Sequence, residues 1–208
     1  MTDNPVRGRF NAWLLDELDD YMHRKYGALK TRLFRDTPPT VIELGAGSGA
    51  NFRYYPRGTR VVAIEPNVRM HARLQRAAER HGLTLELHHE GGETLPLATG
   101  SAEFVCSTLV MCSVGDPTRV AREVRRVLAP SGRFVCIEHV IAPPGSAVAK
   151  LQRAIRRPWQ WIFEGCDLCN QTEAVMREAG FRDIEVEPLW VDTIFLPIRY
   201  QVVITGVG

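Results

Sequence analysis

The stretch VIELGAGSG, residues 41–49, decides the fold. A short apolar run ends in glycines at alternate positions, Gly45, Gly47 and Gly49. This is the pattern of a strand running into a sharp turn whose backbone can approach a ligand, because glycine has no Cβ in the way. A glycine-rich turn can also be a plain chain reversal, so its neighbours have to decide between the two.

The next apolar run, residues 61–65, ends in Glu65. A carboxylate there can accept from both hydroxyls of a ribose, the part an acid plays at this point of doubly wound folds; an exposed strand-end acid is the plainer alternative. The glycine spacing is G-x-G-x-G. Dinucleotide sites need G-x-G-x-x-G, which sets a helix N-terminus against a pyrophosphate. Glu43, two residues before the first glycine, would repel a pyrophosphate and favour a ligand carrying an ammonium group, such as the amino group of methionine. Further on, GGETLPL at residues 91–97 leads into the apolar run at 101–105, and backbone amides of that turn can read an adenine edge.

Outward from the glycines, strands are expected over residues 41–44, 61–65, 84–88, 103–110 and 133–139, and helices over 68–81 and 119–128. That alternation points to a parallel sheet with helices on both faces. Ala129, Pro130, Ser131 and Gly132 are read as a turn that stops a helix and launches a strand. Residues 10–34 place Leu14, Leu15, Leu18, Met22 and Tyr26 at helical spacing, which makes residues 1–37 a helical lid. Residues 142–170 are read as a helical insertion over the acceptor side, with its helix at 149–163. Asn170 followed by Glu173 resembles a capping box opening a helix that stops at Gly180. Strands at 184–189 and 199–205 have no crossover helix between them, so they are expected as an antiparallel edge pair completing about seven strands.

The length of 208 residues suits one domain, and the net charge of +2 gives no field that would draw the protein to nucleic acid or anionic lipid. No run approaches the roughly 20 apolar residues of a membrane span, and the start lacks the apolar core of a signal peptide. The five cysteines are odd in number, and Cys106 and Cys136 sit in apolar runs as small hydrophobes. A cytoplasmic protein is expected, monomeric or homodimeric.

The runs ELGAGSG, AIEP, GETLPL, SAEFVCSTLV and REVRRVLAPSGRFVCIE, taken in order, resemble the class I S-adenosylmethionine-dependent methyltransferases over residues 40–139. Within that class GANFRYYPRGTRV, TLVMCSV, EHV and EGCDL are similar to the membrane-associated alkyl-thiol methyltransferases of animals, although this chain lacks their hydrophobic anchor and has Glu65 where they have aspartate. A broader similarity links it to the quinone and sterol methyltransferases. The resemblance implies an α/β, doubly wound, Rossmann-like sheet of seven strands with an antiparallel last strand, and S-adenosylmethionine as cofactor. It implies cofactor contacts from Glu43, Gly45, Ala46 and Gly47, ribose on Glu65, adenine against Pro66 and Met70, and further contacts from Gly92, Glu93, Thr108 and Leu109. Many relatives carry an aspartate where this chain has Gly91, leaving Glu93 or a backbone carbonyl for the adenine amino group.

Methyl transfer from a sulfonium is an in-line displacement, so positioning and exclusion of water supply most of the rate. A thiol acceptor has an unperturbed pKa of about 8.5, and a base or positive neighbour raises its thiolate fraction. His139 is the first candidate, because it lies at the carboxyl end of a central strand and titrates in the useful range. Glu138 can orient it or cap a loop. Cys112 follows the fourth strand as a packing residue or a pocket residue, and Asp167 is a second possible base or a cap. Cys166 and Cys169 form a lone C-x-x-C with no second pair or spaced histidines, so no metal is expected. Trp159, Trp161, Phe163, Trp190 and Phe195 suit a lid over a small apolar acceptor. S-methylation of a small thiol leads; O- or C-methylation of an aromatic natural product or quinone, or a non-catalytic cofactor-binding role, are the alternatives.

Overall fold

In the computed structural model, which describes residues 19–208, the elements in chain order are α1 (Asp19–Phe34), β1 (Thr40–Leu44), β2 (Arg60–Ile64), α2 (Val68–His81), β3 (Thr84–His88) and β4 (Ala102–Thr108). They continue with α3 (Pro117–Val127), β5 (Leu128–His139), α4 (Ala147–Ile162), α5 (Thr172–Glu178), β6 (Arg182–Trp190) and β7 (Tyr200–Val207), with 3-10 turns at Phe52–Tyr54 and Leu196–Ile198. One seven-stranded sheet has the order β3-β2-β1-β4-β5-β7-β6. β1 to β5 are parallel, and β7 runs antiparallel to both β5 and β6. This is the expected doubly wound α/β sheet with an antiparallel last strand.

The central strands are continuous apolar runs because both faces are covered. Alternation sends Phe134 and Cys136 into one cluster with Val120, Val124 and Met176, and Val135 and Ile137 into the other with Phe34, Leu74 and Phe104. α2 buries Met70, Leu74, Ala77 and Ala78, one stripe at helical spacing, and α3 does the same with Val120, Ala121, Val124 and Val127. Asn67 and Asp116 cap these two helices through Arg69 N and Arg119 N.

From β1 the chain winds outward to β2 and β3, then returns to place β4 on the other side of β1. The crevice at the carboxyl ends of β1 and β4 is therefore the topological switch point, where open α/β sheets hold ligands.

Three local expectations are corrected. α5 starts at Thr172 with Gln171 as its cap residue and no side-chain cap. Asn170 instead donates to Thr172 Oγ1, and its carbonyl accepts from Ile141 N, which ties it to the loop after β5; Glu173 pairs with Arg177. The break at 129–132 lies inside β5, where the ladder skips from Leu128 opposite Ala102 to Arg133 opposite Phe104. Those residues are held in place by Gly208 N on Gly132 O and by Arg182 on Pro130 O. The strand expected to run to Val110 ends at Thr108, because Leu109 takes a left-handed φ of 58°. Leu14, Leu15 and Leu18 of the opening helix lie outside the described residues.

Candidate active site

The three cradle glycines all have positive φ, each for its own reason. A Cβ on Gly45 would meet Val110 Cγ2 at 2.6 Å, and one on Gly49 would meet Ala77 Cβ at 2.7 Å. The first contact seats the loop after β4 on the cradle; the second seats the cradle on α2. A Cβ on Gly47 would meet only Gly45 O, at 3.9 Å, so this glycine faces open space where a ligand can approach. Ala46 between them is buried.

Glu65 follows β2 and is 6% exposed. One carboxylate oxygen accepts from Gly47 N at 2.8 Å and the other from Asn67 N at 2.8 Å. The acid thus ties the cradle to the start of α2, and each oxygen keeps a lone pair for a further donor. Burial raises its pKa, against the two backbone hydrogen bonds. Pro66 is exposed beside it, while Met70 is turned into the protein.

Glu43 lies beneath the cradle, 2% exposed, with one hydrogen bond on each oxygen. Asn51 Nδ2 donates at 2.8 Å and Tyr55 Oη at 2.7 Å. Burial pushes its pKa up to about 7, opposed by those two hydrogen bonds and the nearby Lys30. Asn51 also donates to Thr108 Oγ1 at 3.1 Å, and its own Oδ1 is buried without a partner. Glu43, Asn51 and Thr108 therefore join the ends of β1 and β4 and leave one unsatisfied acceptor at the switch point.

Across the crevice, Glu93 accepts from Gly115 N at 3.1 Å, and Arg119 donates to Glu93 O at 2.9 Å. Gly92 packs near Val120. The 91–97 turn is thereby held on α3 and the loop before it. Leu109 N donates to Ile137 O, which fixes the left-handed corner that aims Val110 at Gly45.

The same loop carries Cys112, and here three distant parts of the chain meet. His139, the last residue of β5, is 3% exposed, and its Nε2 lies 3.0 Å from Cys166 Sγ. The reactive atoms of Cys112, His139 and Cys166 all lie within 4.8 Å of one another, and all three residues are buried. The Trp159 indole N–H donates to Cys166 Sγ at 3.2 Å, and Asp167 N donates to Cys112 O at 2.7 Å. A hydrogen bond from Cys112 brings the Cys166 thiol down to about 5 against burial, with His139 adding to it, while Cys112 itself is pushed well up. Burial pushes His139 down, yet its bond to Cys166 and the charge there leave it raised. Its Nδ1 is buried without a partner.

Glu138, on the opposite face of β5, accepts from Val110 N and Met111 N, each at 2.9 Å, so it holds the loop rather than the imidazole. The Asp167 carboxylate pairs with Arg156 rather than with the imidazole. Arg156 binds it through two nitrogens at 2.8 and 2.6 Å, and Cys169 N donates to it as well. Trp159 stacks on Phe163 with centroids 4.2 Å apart beside Cys166, whereas Trp161 and Trp190 are largely exposed. Tyr21 Oη accepts from Ile194 N, which joins α1 to the loop before β7.

Residue type alone points to neither Asn51 nor Tyr55, and it offers Cys166 only as half of the C-x-x-C. Asn51 and Tyr55 sit in GANFRYYP and Cys166 in EGCDL, two of the runs behind the thiol-methyltransferase resemblance.

Comparisons with known proteins bear on the family and the fold. A family model described as a methyltransferase domain matches residues 42–136. Thiol S-methyltransferase TMT1B of Homo sapiens is 34% identical over 194 residues, covering 88% of this chain and 80% of that protein. Thiol S-methyltransferase TMT1A of Homo sapiens is 36% identical over 151 residues, 71% of this chain and 62% of that protein. A SAM-dependent methyltransferase from Aquifex aeolicus shares the fold with a TM-score of 0.64 at 14% identity, over 94% of this chain and 97% of that one. Among the described residues no helix is long and apolar enough to cross a membrane.

Proposed function

Because the chain belongs to the family of S-adenosylmethionine-dependent methyltransferases that includes the thiol S-methyltransferases, we propose that it methylates the sulfur of a small thiol at the Cys112–His139–Cys166 corner. The donor supplies a methyl group on a sulfonium, transferred in line to the acceptor.

The residues present fit such a donor. Gly47 offers the open face of the cradle, and Glu65 keeps one lone pair on each oxygen for the ribose hydroxyls. The unpartnered Asn51 Oδ1, backed by Glu43, is the acceptor for an ammonium group. Pro66, Gly92 and Glu93 border the adenine side, with Met70 buried at the start of α2, and Thr108 and Leu109 set the turn between donor and acceptor. Gly45 and Ala46 shape the cradle from within.

The observation that carries the thiol reading is the buried imidazole of His139, with Nδ1 unpartnered, on the corner that Val110 joins to the cradle. It and the Cys166 sulfur that it contacts are the groups best placed to take the acceptor's proton, with Cys112 beside them. Asp167 acts through Arg156 at the rim. α1 and the 142–170 segment form the walls of the acceptor side. The five free cysteines suit a reducing cytoplasm, where we place the protein as a monomer or homodimer.

The Trp159–Phe163 pair favours a second reading, O- or C-methylation of a planar acceptor. Incubation with methyl-labelled donor and a panel of alkyl thiols, phenols and quinones, followed by mass spectrometry, separates the two. Label on alkyl thiols is expected; label only on phenols or quinones overturns the thiol assignment.

A further inference from the structure

The Cys112–His139–Cys166 corner is built like a metal site. A tetrahedral zinc ion has bonds of about 2.3 Å to sulfur and about 2.0 Å to nitrogen, which set its ligand atoms roughly 3.5–3.8 Å apart. The three donor atoms already lie within 4.8 Å of one another, with the His139–Cys166 pair at 3.0 Å. A small outward movement of the side chains admits an ion. Each ligand comes from a different place: the loop after β4, the end of β5, and the turn after α4. The bond from Asp167 N to Cys112 O locks two of these segments together.

The surroundings match as well. The Trp159 indole N–H supplies an outer hydrogen bond to the Cys166 sulfur, of the kind that tunes a ligating thiolate. With Nδ1 unpartnered, the His139 ring is held through Nε2 at Cys166, so a bond from Nε2 to an ion would fix its orientation. Soft thiolates with an imidazole select zinc-like ions over magnesium or calcium. Cys169, the other half of the C-x-x-C, is not in the group, and the Asp167 carboxylate is engaged by Arg156. Three protein ligands leave a fourth position open, the arrangement of catalytic rather than structural zinc sites.

We propose that Cys112, His139 and Cys166 bind one zinc-type divalent ion, with the fourth position left for the acceptor. Resting on the thiol reading, that position takes the acceptor sulfur as a thiolate, its proton leaving to solvent. The sulfur–methyl bond then forms as the donor's sulfonium–methyl bond breaks. His139 in the loaded site holds the ion instead of taking the proton.

The test uses the full chain, purified from zinc-supplemented culture through chelator-free buffer. Elemental analysis is expected to give about one zinc per chain. Anaerobic cobalt addition to metal-free protein is expected to give thiolate-to-metal charge transfer with intense tetrahedral visible bands, shifted by added ethanethiol. Cys166→Ser and Cys112→Ser should weaken cobalt binding by about tenfold or more, while Cys169→Ser leaves it unchanged. Circular dichroism confirms that each variant is folded, and the wild-type measurements decide the matter without variants. Zinc-free protein with no cobalt charge transfer overturns the site, as does equal loss in Cys169→Ser. Thiol methylation by metal-free protein overturns the metal site and leaves the thiol reading standing. Metal-loaded protein that labels only phenols does the reverse.

Discussion

Glu43, near the end of β1, and Glu65, just after β2, are both buried acids, but their partners give them different work. Glu65 binds backbone amides of the cradle and of α2, and it has lone pairs left for a ligand. Replacing it by alanine removes a charged acceptor from the ribose side and loosens Gly47. Cofactor affinity measured by calorimetry is expected to fall about tenfold to a hundredfold in Glu65→Ala, the worth of hydrogen bonds to a charged group. Unchanged affinity would put the ribose elsewhere.

Glu43 has its oxygens held by Tyr55 and Asn51, among Lys30, Cys106 and Glu65. In the folded chain it keeps its proton to about pH 7, against an ordinary value of 4.5. The folded state therefore binds the extra proton between those values. This group's contribution to stability is full at low pH and declines as pH rises through that window, by at most about 3 kcal/mol. Urea titrations across the window should show the decline in the wild type and a flatter profile in Glu43→Gln; parallel profiles would refute the assignment.

At this scale the sequence made the glycine cradle legible and the Cys112–His139–Cys166 corner only half so. Glu65 was readable because it closes the apolar run that follows the glycine turn, and its carboxylate does meet the cradle at Gly47 N. Cys166 was hidden because its near neighbour in sequence, Cys169, suggested the wrong pairing. Its partners in space, Cys112 and His139, arrive on other elements, and no local spacing encodes that meeting.

Among the elements, α4 depends on one buried polar residue. Gln152 is fully buried; it accepts from Ala142 N and donates to Val140 O and Pro197 O, so it bolts the helix to the end of β5 and to the turn before β7. In Gln152→Ala these three backbone groups lose their partner inside the protein. A loss of about 3 kcal/mol in denaturant unfolding is expected, with weakened acceptor binding because the corner moves with α4. A loss no larger than a surface substitution would mean that α4 is held by other contacts. Strong apolar periodicity revealed α2 and α3, whose stripes face the sheet. The start of α5 was misread because Asn170 is recruited by the loop on β5, a tertiary demand that a capping motif does not record.

Across the whole molecule, the two apolar clusters lie on opposite faces of one sheet, so neither can dissolve without exposing the strands they share. Phe104 and Phe134, both fully buried, belong to different clusters. Phe104→Ala and Phe134→Ala are each expected to cost about 3–5 kcal/mol. Both variants should still unfold in one transition by circular dichroism and tryptophan fluorescence together. Two separated transitions would show that the faces fold independently. The α/β alternation made this sheet legible, including its antiparallel closure, since no helix separates the last two strands.

The place of β7 in the sheet also sets a timetable for synthesis. β5 pairs with β7 from Arg133 to His139, and β7 emerges from the ribosome after every other strand. Until it arrives, β5 presents a long apolar edge with unpaired backbone groups, the kind of edge that recruits other chains. The nascent protein therefore passes through a stage when β1 to β5 are assembled but unsealed. Chaperone demand and aggregation during expression should concentrate in that interval.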